Sequence, residues 1–310
     1  MNIIFLMKPL STVVKGKDTS LLFMQACEEL GGKLYYLAQN DASITTQGVE
    51  FSVTPFSCNQ KSNPKLFTTY EKKVLHESEV HSVFIRTDPP FDQRYLNDMW
   101  VLEQVRFPVN FVNHPKGIRE VNEKIWASQF KEIIPETCIA SNKEQLQKFI
   151  NIHKKIILKP TDGFGGEAIC ILDINDPNKN VLFEMLTRNY SNYIIAQKYI
   201  KEADRGDKRI LLVDGEPMAA ILRCHSENDH RNNFFAGGTA KLTTITKNDE
   251  KIINEISNKL TKLGLRFVGL DIIGDYLIEV NVTSPTCLQE YNNLNSTKTH
   301  LQIIKKLLNL

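Results

Sequence analysis

Apolar and polar positions alternate in two different ways along the chain, and the first third shows a strand–helix rhythm. Short apolar runs predict buried strands at 2–7, 34–38, 83–86 and 109–112. Asp18 offers an N-cap for an amphipathic helix that ends near Gly31. A second helix is predicted from 92 to 105. This rhythm indicates an open, mostly parallel sheet covered by helices.

Strand pairs replace this rhythm in the rest of the chain. Further strands are predicted at 155–159, 168–172 and 193–197, and hairpins at 207–224 and 267–282. The first hairpin turns at Asp214–Gly215, a pair typical of two-residue turns. A polar loop at 225–238 and a helix capped by Thr246 separate the hairpins, and another helix ends the chain. We therefore expect antiparallel sheets after an N-terminal α/β domain, with domains at 1–120, 121–200 and 201–310.

Composition indicates a globular protein and excludes several functional classes. The 310 residues include 38 Lys and Arg against 36 Asp and Glu, a net charge of +2, and 42% are hydrophobic. These values exclude a disordered chain and give no support to a nucleic-acid binder, which needs a basic surface. The six cysteines are spaced too widely for a zinc site or a disulfide scaffold. No apolar run is long enough for a signal peptide or a membrane span, so we expect a cytoplasmic protein without membrane contact.

A glycine-rich loop between two predicted strands indicates phosphate binding. Gly163, Gly165, Gly166 and Ala168 fit G-x-G-x-x-A, the dinucleotide fingerprint, but that fingerprint must open a helix. Here a strand follows, so the segment is closer to the flap that covers phosphates in kinases. Lys159 stands just before the loop, where its charge can meet phosphate oxygens. A structural hairpin with an exposed lysine is the alternative.

Three oxygen-bearing side chains interrupt the apolar strands of the second hairpin. Asp271, Glu279 and Asn281 suit magnesium, which completes its shell with phosphate oxygens and water. Asp271 and Glu279 must share a face to hold one ion, and a regular two-residue turn at Gly274–Asp275 forbids this. We therefore predict a three-residue loop or a one-residue bulge between 273 and 277. The alternative is an edge hairpin with a solvated polar face.

Arginines at strand ends and in glycine-containing loops suit bidentate recognition of a carboxylate. Arg209 follows Asp207 in the first hairpin, Arg231 lies in the polar loop before Gly238, and Arg86 ends a predicted strand. Surface salt bridges are the alternative for each of these arginines.

Eight segments of the chain together carry a family resemblance. In chain order they are RTDPPFD, NEKIWA, ETCIA, ILKPTDGFGG, AQKYI, GDKRILLVDGEP, AGG and VGLDIIGDYLIEVNVTSPTC. They resemble bacterial glutathione synthetase, an ATP-grasp ligase, over essentially the whole chain. The resemblance implies an α/β ATP-grasp fold with an N-terminal mostly parallel α/β domain, a small central subdomain that covers ATP, and a C-terminal antiparallel-sheet subdomain. It also implies ligation of glycine to γ-glutamylcysteine by ATP with two divalent ions, Mg²⁺ or Mn²⁺, in a homotetramer.

The same resemblance implies roles for single residues. The implied ATP-binding residues are Lys124, Lys159, Asp162, Gly163, Phe164, Gly165, Gly166, Gln197, Lys198, Tyr199, Ile200 and, on the ribose side, Asp207. The implied peptide-binding residues are Arg86, Arg209, Arg223, Arg231 and Ser284. The implied catalytic residues are Arg209, Arg231 and Gly238, and the implied metal ligands are Asp271, Glu279 and Asn281.

The chemistry of such a reaction agrees with the resemblance. A carboxylate is a poor electrophile, so ATP must first convert it into an acyl phosphate, which the amine of glycine then attacks. Phosphoryl transfer needs charge neutralisation by metals and lysines more than a protein nucleophile, so no histidine or cysteine needs a catalytic role. Two alternatives stay open: an ATP-grasp ligase that joins a different carboxylate and amine, and a non-catalytic nucleotide-binding regulator of the same fold.

Overall fold

The computed structural model describes residues 1–59, 65–163, 165–225 and 238–310, and these residues build three sheets. The N-terminal strands are β1 (Asn2–Leu6), β2 (Lys33–Leu37), β3 (Ala42–Thr45), β4 (Gly48–Cys58), β5 (Phe67–Thr69), β6 (Lys73–His76), β7 (Ser82–Ile85) and β8 (Asn110–Val112). The helices here are α1 (Thr19–Glu29), α2 (Gln93–Leu102) and α3 (Pro115–Glu120). The sheet order is β3-β4-β2-β1-β7-β8, and β2, β1, β7 and β8 run parallel.

The parallel centre of this sheet and its two main helices confirm the sequence prediction. Asp18 caps α1 by accepting a hydrogen bond from Ser20 N at 2.7 Å. The prediction omits the antiparallel strands β3 to β6. Alternation of Val49, Phe51 and Val53 with polar residues was the signal for β4, since all three are fully buried. The other three strands have three or four residues each and are partly exposed, which gives no clear pattern.

The central sheet is antiparallel and presents one face to a core and the other to a cleft. Its elements are β9 (Thr137–Ala140), α4 (Lys143–His153), β10 (Lys155–Pro160), β11 (Cys170–Asp173), α5 (Lys179–Leu186) and β12 (Ile194–Lys198), in the sheet order β11-β10-β12-β9. Ile156 and Leu158 of β10 pack against the helices. Lys159 therefore points to the opposite face, because side chains alternate along a strand. The predicted strand–loop–strand flap is confirmed, although β11 begins at Cys170 because Ala168 still belongs to the turn, with φ of 55°.

The C-terminal sheet is also antiparallel. Its elements are β13 (Asp207–Val213), β14 (Glu216–Cys224), β15 (Thr239–Leu242), α6 (Lys247–Lys262), β16 (Phe267–Ile273), β17 (Tyr276–Asn281), α7 (Leu288–Asn295) and α8 (Thr299–Leu307), in the sheet order β15-β14-β13-β16-β17. The predicted turn at Asp214–Gly215 is confirmed, with both φ angles positive. Ile256 and Leu260 of α6 pack against one face of this sheet. The predicted C-terminal helix is confirmed as α8, and the prediction omits α7, which ends before Ser296, whose φ is 52°.

Shorter elements and the long polar loop complete the description. Single 3-10 turns lie at Leu10–Thr12, Glu77–Glu79, Trp126–Gln129 and Lys201–Arg205. The predicted loop at 225–238 falls outside the described residues except for its two ends. No helix formed by the described residues combines the length and the apolar composition of a membrane-spanning segment.

Candidate active site

A cleft of about 280 Å³ separates the central and C-terminal sheets. Its walls are apolar where the sheets face each other, with Ile157 and Ile171 on one side and Ile273 and Ile278 on the other. The segment 197–200 also lines the cleft. Apolar walls beside a main-chain segment suit the binding of a purine ring.

Two lysines that are attached to different sheets line this cleft. Lys159 is 9% exposed and donates to Gln197 Oε1 at 2.9 Å. Burial lowers the pKa of the Lys159 ammonium to about 8. Lys124 Nζ lies 3.2 Å from Glu279 Oε1 and donates to the carbonyl oxygen of Gly163. Burial opposes the charge of Lys124, but Glu279 outweighs it, so the pKa of Lys124 is raised.

The predicted pairing of the second hairpin is confirmed. Asp271 lies opposite Glu279, and Gly269 lies opposite Asn281. The predicted position of the irregularity is wrong, because Ile273 pairs with Tyr276 across a two-residue turn, and Ile272 pairs with Leu277. The extra residue is Ile278, which shifts the register between the turn and the carboxylates.

Asp271 accepts hydrogen bonds from two arginines. Arg209 donates through Nε to Oδ1 and through Nη2 to Oδ2, the latter at 2.8 Å, and Arg223 Nη2 lies 2.8 Å from the same Oδ2. Arg223 also donates through Nε and Nη2 to the two carboxylate oxygens of Asp207. Burial opposes ionisation of Asp271, but the two guanidinium groups outweigh it and hold its pKa well below the usual range. Four predicted functional side chains thus form one continuous chain of ion pairs.

Gly269 leaves room for this network. A Cβ atom at Gly269 would lie 3.0 Å from Pro285 Cβ and 3.2 Å from Arg209 Cδ. Because both distances are tighter than ordinary carbon contacts, a side chain here would push Arg209 away from Asp271. The glycine in the VGLD segment therefore serves close approach of the arginine.

The oxygen donors on β16 and β17 fit a hard divalent cation. Asn281 donates its amide nitrogen to Gly269 O at 3.2 Å, which leaves the amide oxygen for a metal. Glu279 offers a carboxylate beside it, whereas the arginines occupy about three of the four acceptor positions of Asp271. Across 1–59, 65–163, 165–225 and 238–310, no three carboxylate, imidazole or thiol groups converge on one point. Phosphate oxygens and water would therefore have to complete the ligand shell.

Glu123 is a site residue that the sequence analysis missed. Its Oε1 accepts hydrogen bonds from Val282 N at 2.8 Å, Thr283 N at 3.0 Å and Thr283 Oγ1 at 2.9 Å. Its carbonyl oxygen accepts from Val280 N at 2.9 Å. Burial and then Glu279 raise the pKa of Glu123. These bonds attach the residue next to Lys124 to the end of β17, and no local sequence pattern indicates a contact of that range.

The remaining predicted residues fall into three groups. Gly165, Gly166, Gln197, Lys198, Tyr199, Ile200, Asp207 and Ser284 line the cleft with the residues above. Asp162 is exposed at the mouth of the flap. Arg86 does not line the cleft; it is buried, donates to Ser20 Oγ and Pro285 O, and lies over the Phe23 ring. Gly238, just before β15, does not line the cleft either, and Phe164 and Arg231 lie outside the described residues.

Comparison with known protein families identifies this arrangement. The family domain described as "Prokaryotic glutathione synthetase, N-terminal domain" matches residues 1–119, and "Prokaryotic glutathione synthetase, ATP-grasp domain" matches residues 123–296. The chain belongs to the prokaryotic glutathione synthetase family. Membership in this family makes it an ATP-dependent ligase with the ATP-grasp fold, a class that uses ATP and a divalent metal.

Individual relatives agree with the family match. The glutathione synthetase of Vibrio vulnificus (strain YJ016) is 37% identical over 286 residues, 92% of this chain and 90% of that protein. That of Pseudomonas aeruginosa is 37% identical over 295 residues, 94% of this chain and 92% of the relative.

Solved structures support the fold at low sequence identity. D-cycloserine synthetase DcsG has a TM-score of 0.69 at 14% identity and covers 99% of both chains. D-alanine–D-alanine ligase from Bacillus anthracis complexed with ATP has a TM-score of 0.59 at 12% identity, over 100% of this chain and 98% of that one.

Proposed function

We propose that the protein joins glycine to γ-glutamylcysteine at the expense of ATP, through an acyl phosphate, in the cleft between the central and C-terminal sheets. The observation that carries this proposal is the succession of contacts among the groups that line the cleft. Lys159 contacts Gln197 of the segment 197–200, Lys124 contacts Glu279 of β17, and Asp271, which lies opposite Glu279, contacts Arg209 and Arg223. That succession matches a base, a phosphate chain and an anionic peptide laid end to end.

The lysines neutralise the phosphate chain. Lys159 carries its charge from the central sheet and Lys124 from the side of β17, so phosphates between them meet a cation from each wall. Gly165 and Gly166 of the flap line the same space, and glycines allow main-chain N–H groups to approach phosphate oxygens closely. Fixed positive charges in a site that excludes water stabilise the transferring phosphoryl group.

Glu279 and Asn281 would hold a divalent cation, for which we propose Mg²⁺ or Mn²⁺ and two ions per site. The cation would supply charge compensation to the β- and γ-phosphates when it is bound. Asp271 is the third proposed ligand, and its oxygens would have to be shared between the cation and the two arginines. Lys124 remains near Glu279 and keeps the local charge balanced.

The arginines and Ser284 are proposed to hold the peptide. Guanidinium groups bind carboxylates in a bidentate manner, and an arginine beside the reacting carbon can stabilise the oxyanion that forms when the amine attacks. Arg209 and Arg223 lie on the cleft face and Ser284 follows the end of β17. Roles for Arg86, Arg231 and Gly238 stay predictions from the family resemblance.

The domain boundaries, the oligomeric state and the cellular location are also proposals. We propose domains at 1–120, 121–200 and 201–310, supported by sheets whose strands fall within those ranges. The homotetramer and the cytoplasmic location stay predictions from the sequence.

Release of ADP and phosphate tests the function directly. Purified protein should release both only when ATP, γ-glutamylcysteine, glycine and a divalent metal are all present, and the product should have the mass of glutathione. Equal turnover with an unrelated carboxylate or amine would favour a different ATP-grasp ligase. Binding of ATP without any turnover would favour the regulator.

A further inference from the structure

The arginines that the proposed function assigns to the peptide are already paired inside the protein. The side chains of Arg209, Arg223 and Asp271 are each 7% exposed, and that of Asp207 is 13% exposed. Asp207 contacts Arg223, whereas Asp271 contacts both arginines. Asp271 is therefore the group within the described residues that links the two guanidinium groups.

We infer that Asp271 is a positioning residue for Arg209 and Arg223 and that its carboxylate competes with the peptide carboxylate for these two arginines. A cation bound at the hairpin relieves this competition, because it attracts the carboxylate oxygens of Asp271. The inference rests on the proposed function, because it concerns the affinity of that site for its anionic peptide. In this role Asp271 couples binding of the metal to binding of the peptide. A role in metal ligation alone would not explain its contacts with the two arginines.

Competition follows from the buried position of the pair. A buried guanidinium needs an anionic or hydrogen-bonding partner, and Asp271 supplies one to each arginine. A peptide carboxylate that enters must either take these N–H donors from Asp271 or share them. In both cases the hold of Asp271 on Arg209 and Arg223 opposes binding of the peptide.

The register of the hairpin connects this competition to the cation. Asp271 lies directly opposite Glu279 on the cleft face of the sheet. A cation held by Glu279 and Asn281 would attract the same carboxylate electron pairs that the arginines use. It would thereby loosen the arginines for the peptide. By thermodynamic linkage the peptide then tightens binding of the cation by the same factor.

The test measures binding of γ-glutamylcysteine without turnover. Titration calorimetry in EDTA, without nucleotide, compares wild type with Asp271→Asn and with the matched control Asp275→Asn, which changes an exposed carboxylate in the turn of the same hairpin. We expect Asp271→Asn to bind the dipeptide about tenfold more tightly than wild type. Asp275→Asn should equal wild type, because it removes a carboxylate outside the cleft that does not touch the arginines. A role of Asp271 in metal ligation or in folding alone predicts no gain in affinity.

A second titration adds Mg²⁺ and a non-hydrolysable ATP analogue. Wild type should then bind the dipeptide about tenfold more tightly than in EDTA, whereas Asp271→Asn should gain far less. Since Asp271→Asn leaves two buried arginines with one carboxylate, its thermal unfolding is checked first. If it does not fold, Asp207→Asn decides, because it removes one of the two carboxylates that compete for Arg223 and should tighten dipeptide binding by a smaller factor.

The outcomes separate this inference from the proposed function. Dipeptide affinity in EDTA that is equal or weaker in the folded aspartate variant overturns the role of Asp271 and leaves the substrate assignment standing. Failure of wild type to bind γ-glutamylcysteine with or without Mg²⁺ and nucleotide overturns both.

Discussion

Asp271 faces Glu279 directly across β16 and β17, although the turn between these strands has two residues. Ile278 is the extra residue that makes this possible. It also lines the cleft beside Glu279, so two consecutive side chains reach the same face. The bulge therefore supplies an apolar wall and a carboxylate from adjacent positions of one strand.

ATP affinity should fall as the pH rises above the pKa of Lys159. That pKa is about 8, so the ammonium is charged below this pH and loses its proton above it. We expect the KM for ATP to increase through this range. The measurement is the KM for ATP between neutral and alkaline pH.

Two variants at the same position provide the controls. Lys159→Arg stays charged and should flatten the alkaline rise, because a guanidinium does not titrate there. Lys159→Met should lose about 10²-fold in kcat/KM at every pH. An alkaline rise that persists in Lys159→Arg would assign the titration to another group.

Glu279→Gln should weaken binding of the divalent metal. We expect Mn²⁺ affinity in the presence of ADP to fall by at least about tenfold, since a neutral amide replaces a ligating carboxylate. Electron paramagnetic resonance of free Mn²⁺ measures this directly. Asp275→Asn is the matched control, because Asp275 is exposed in the turn of the same hairpin and should bind Mn²⁺ as wild type does. Equal Mn²⁺ affinity in both variants would show that Glu279 on β17 is not a metal ligand.

Asp204 should contribute more than Asp207 to recognition of the ribose. Both oxygens of Asp207 pair with Arg223, whereas Asp204 lines the cleft and accepts from Tyr199 OH through Oδ1 alone. Asp204→Asn should reduce the preference for ATP over 2′-deoxy-ATP by about tenfold. Asp207→Asn should leave that preference unchanged, and kcat/KM for the two nucleotides decides. A lost preference only in Asp207→Asn would restore Asp207 as the ribose ligand.

Gly269→Ala should impair peptide binding and spare ATP binding. The added methyl would crowd Arg209 Cδ, at 3.2 Å, and cost about 1 kcal/mol of stability or displace the arginine. We expect the KM for γ-glutamylcysteine to rise while the affinity for a non-hydrolysable ATP analogue stays within a factor of about two. A parallel loss of both would indicate a general distortion of the sheet.

The sequence predicted the pairing of the carboxylates but placed the bulge one step too early. Pairing follows from parity alone, because Asp271 and Glu279 share a face only if one residue is extra. Its position depends on which apolar residue enters the core. Leu277 is fully buried opposite Ile272, which requires the two-residue turn and leaves Ile278 for the cleft. Sequence does not distinguish adjacent Leu and Ile residues in that choice.

Contacts between distant segments set the rest of the site, and those could not be predicted. Arg86 donates to Pro285 O, 199 residues away, and this contact buries it outside the cleft. Glu123 accepts a hydrogen bond from Thr283 N, which is 160 residues away. The pairing of Asp271 with both arginines is another such long-range contact. The residue types indicated that each side chain is functional, but only the folded sheet brings the three side chains together.

The two lysines that are proposed to bind the phosphates are attached to different sheets. Lys159 lies at the end of β10, while Lys124 follows Glu123, whose carbonyl oxygen is bonded to β17. Any rocking of one sheet against the other therefore changes the separation of the two ammonium groups. A triphosphate has a limited length, so it could contact both ammonium groups only over a limited range of sheet separations. If both lysines bind the phosphates as proposed, full charge compensation of the nucleotide would require the two sheets to lie close together.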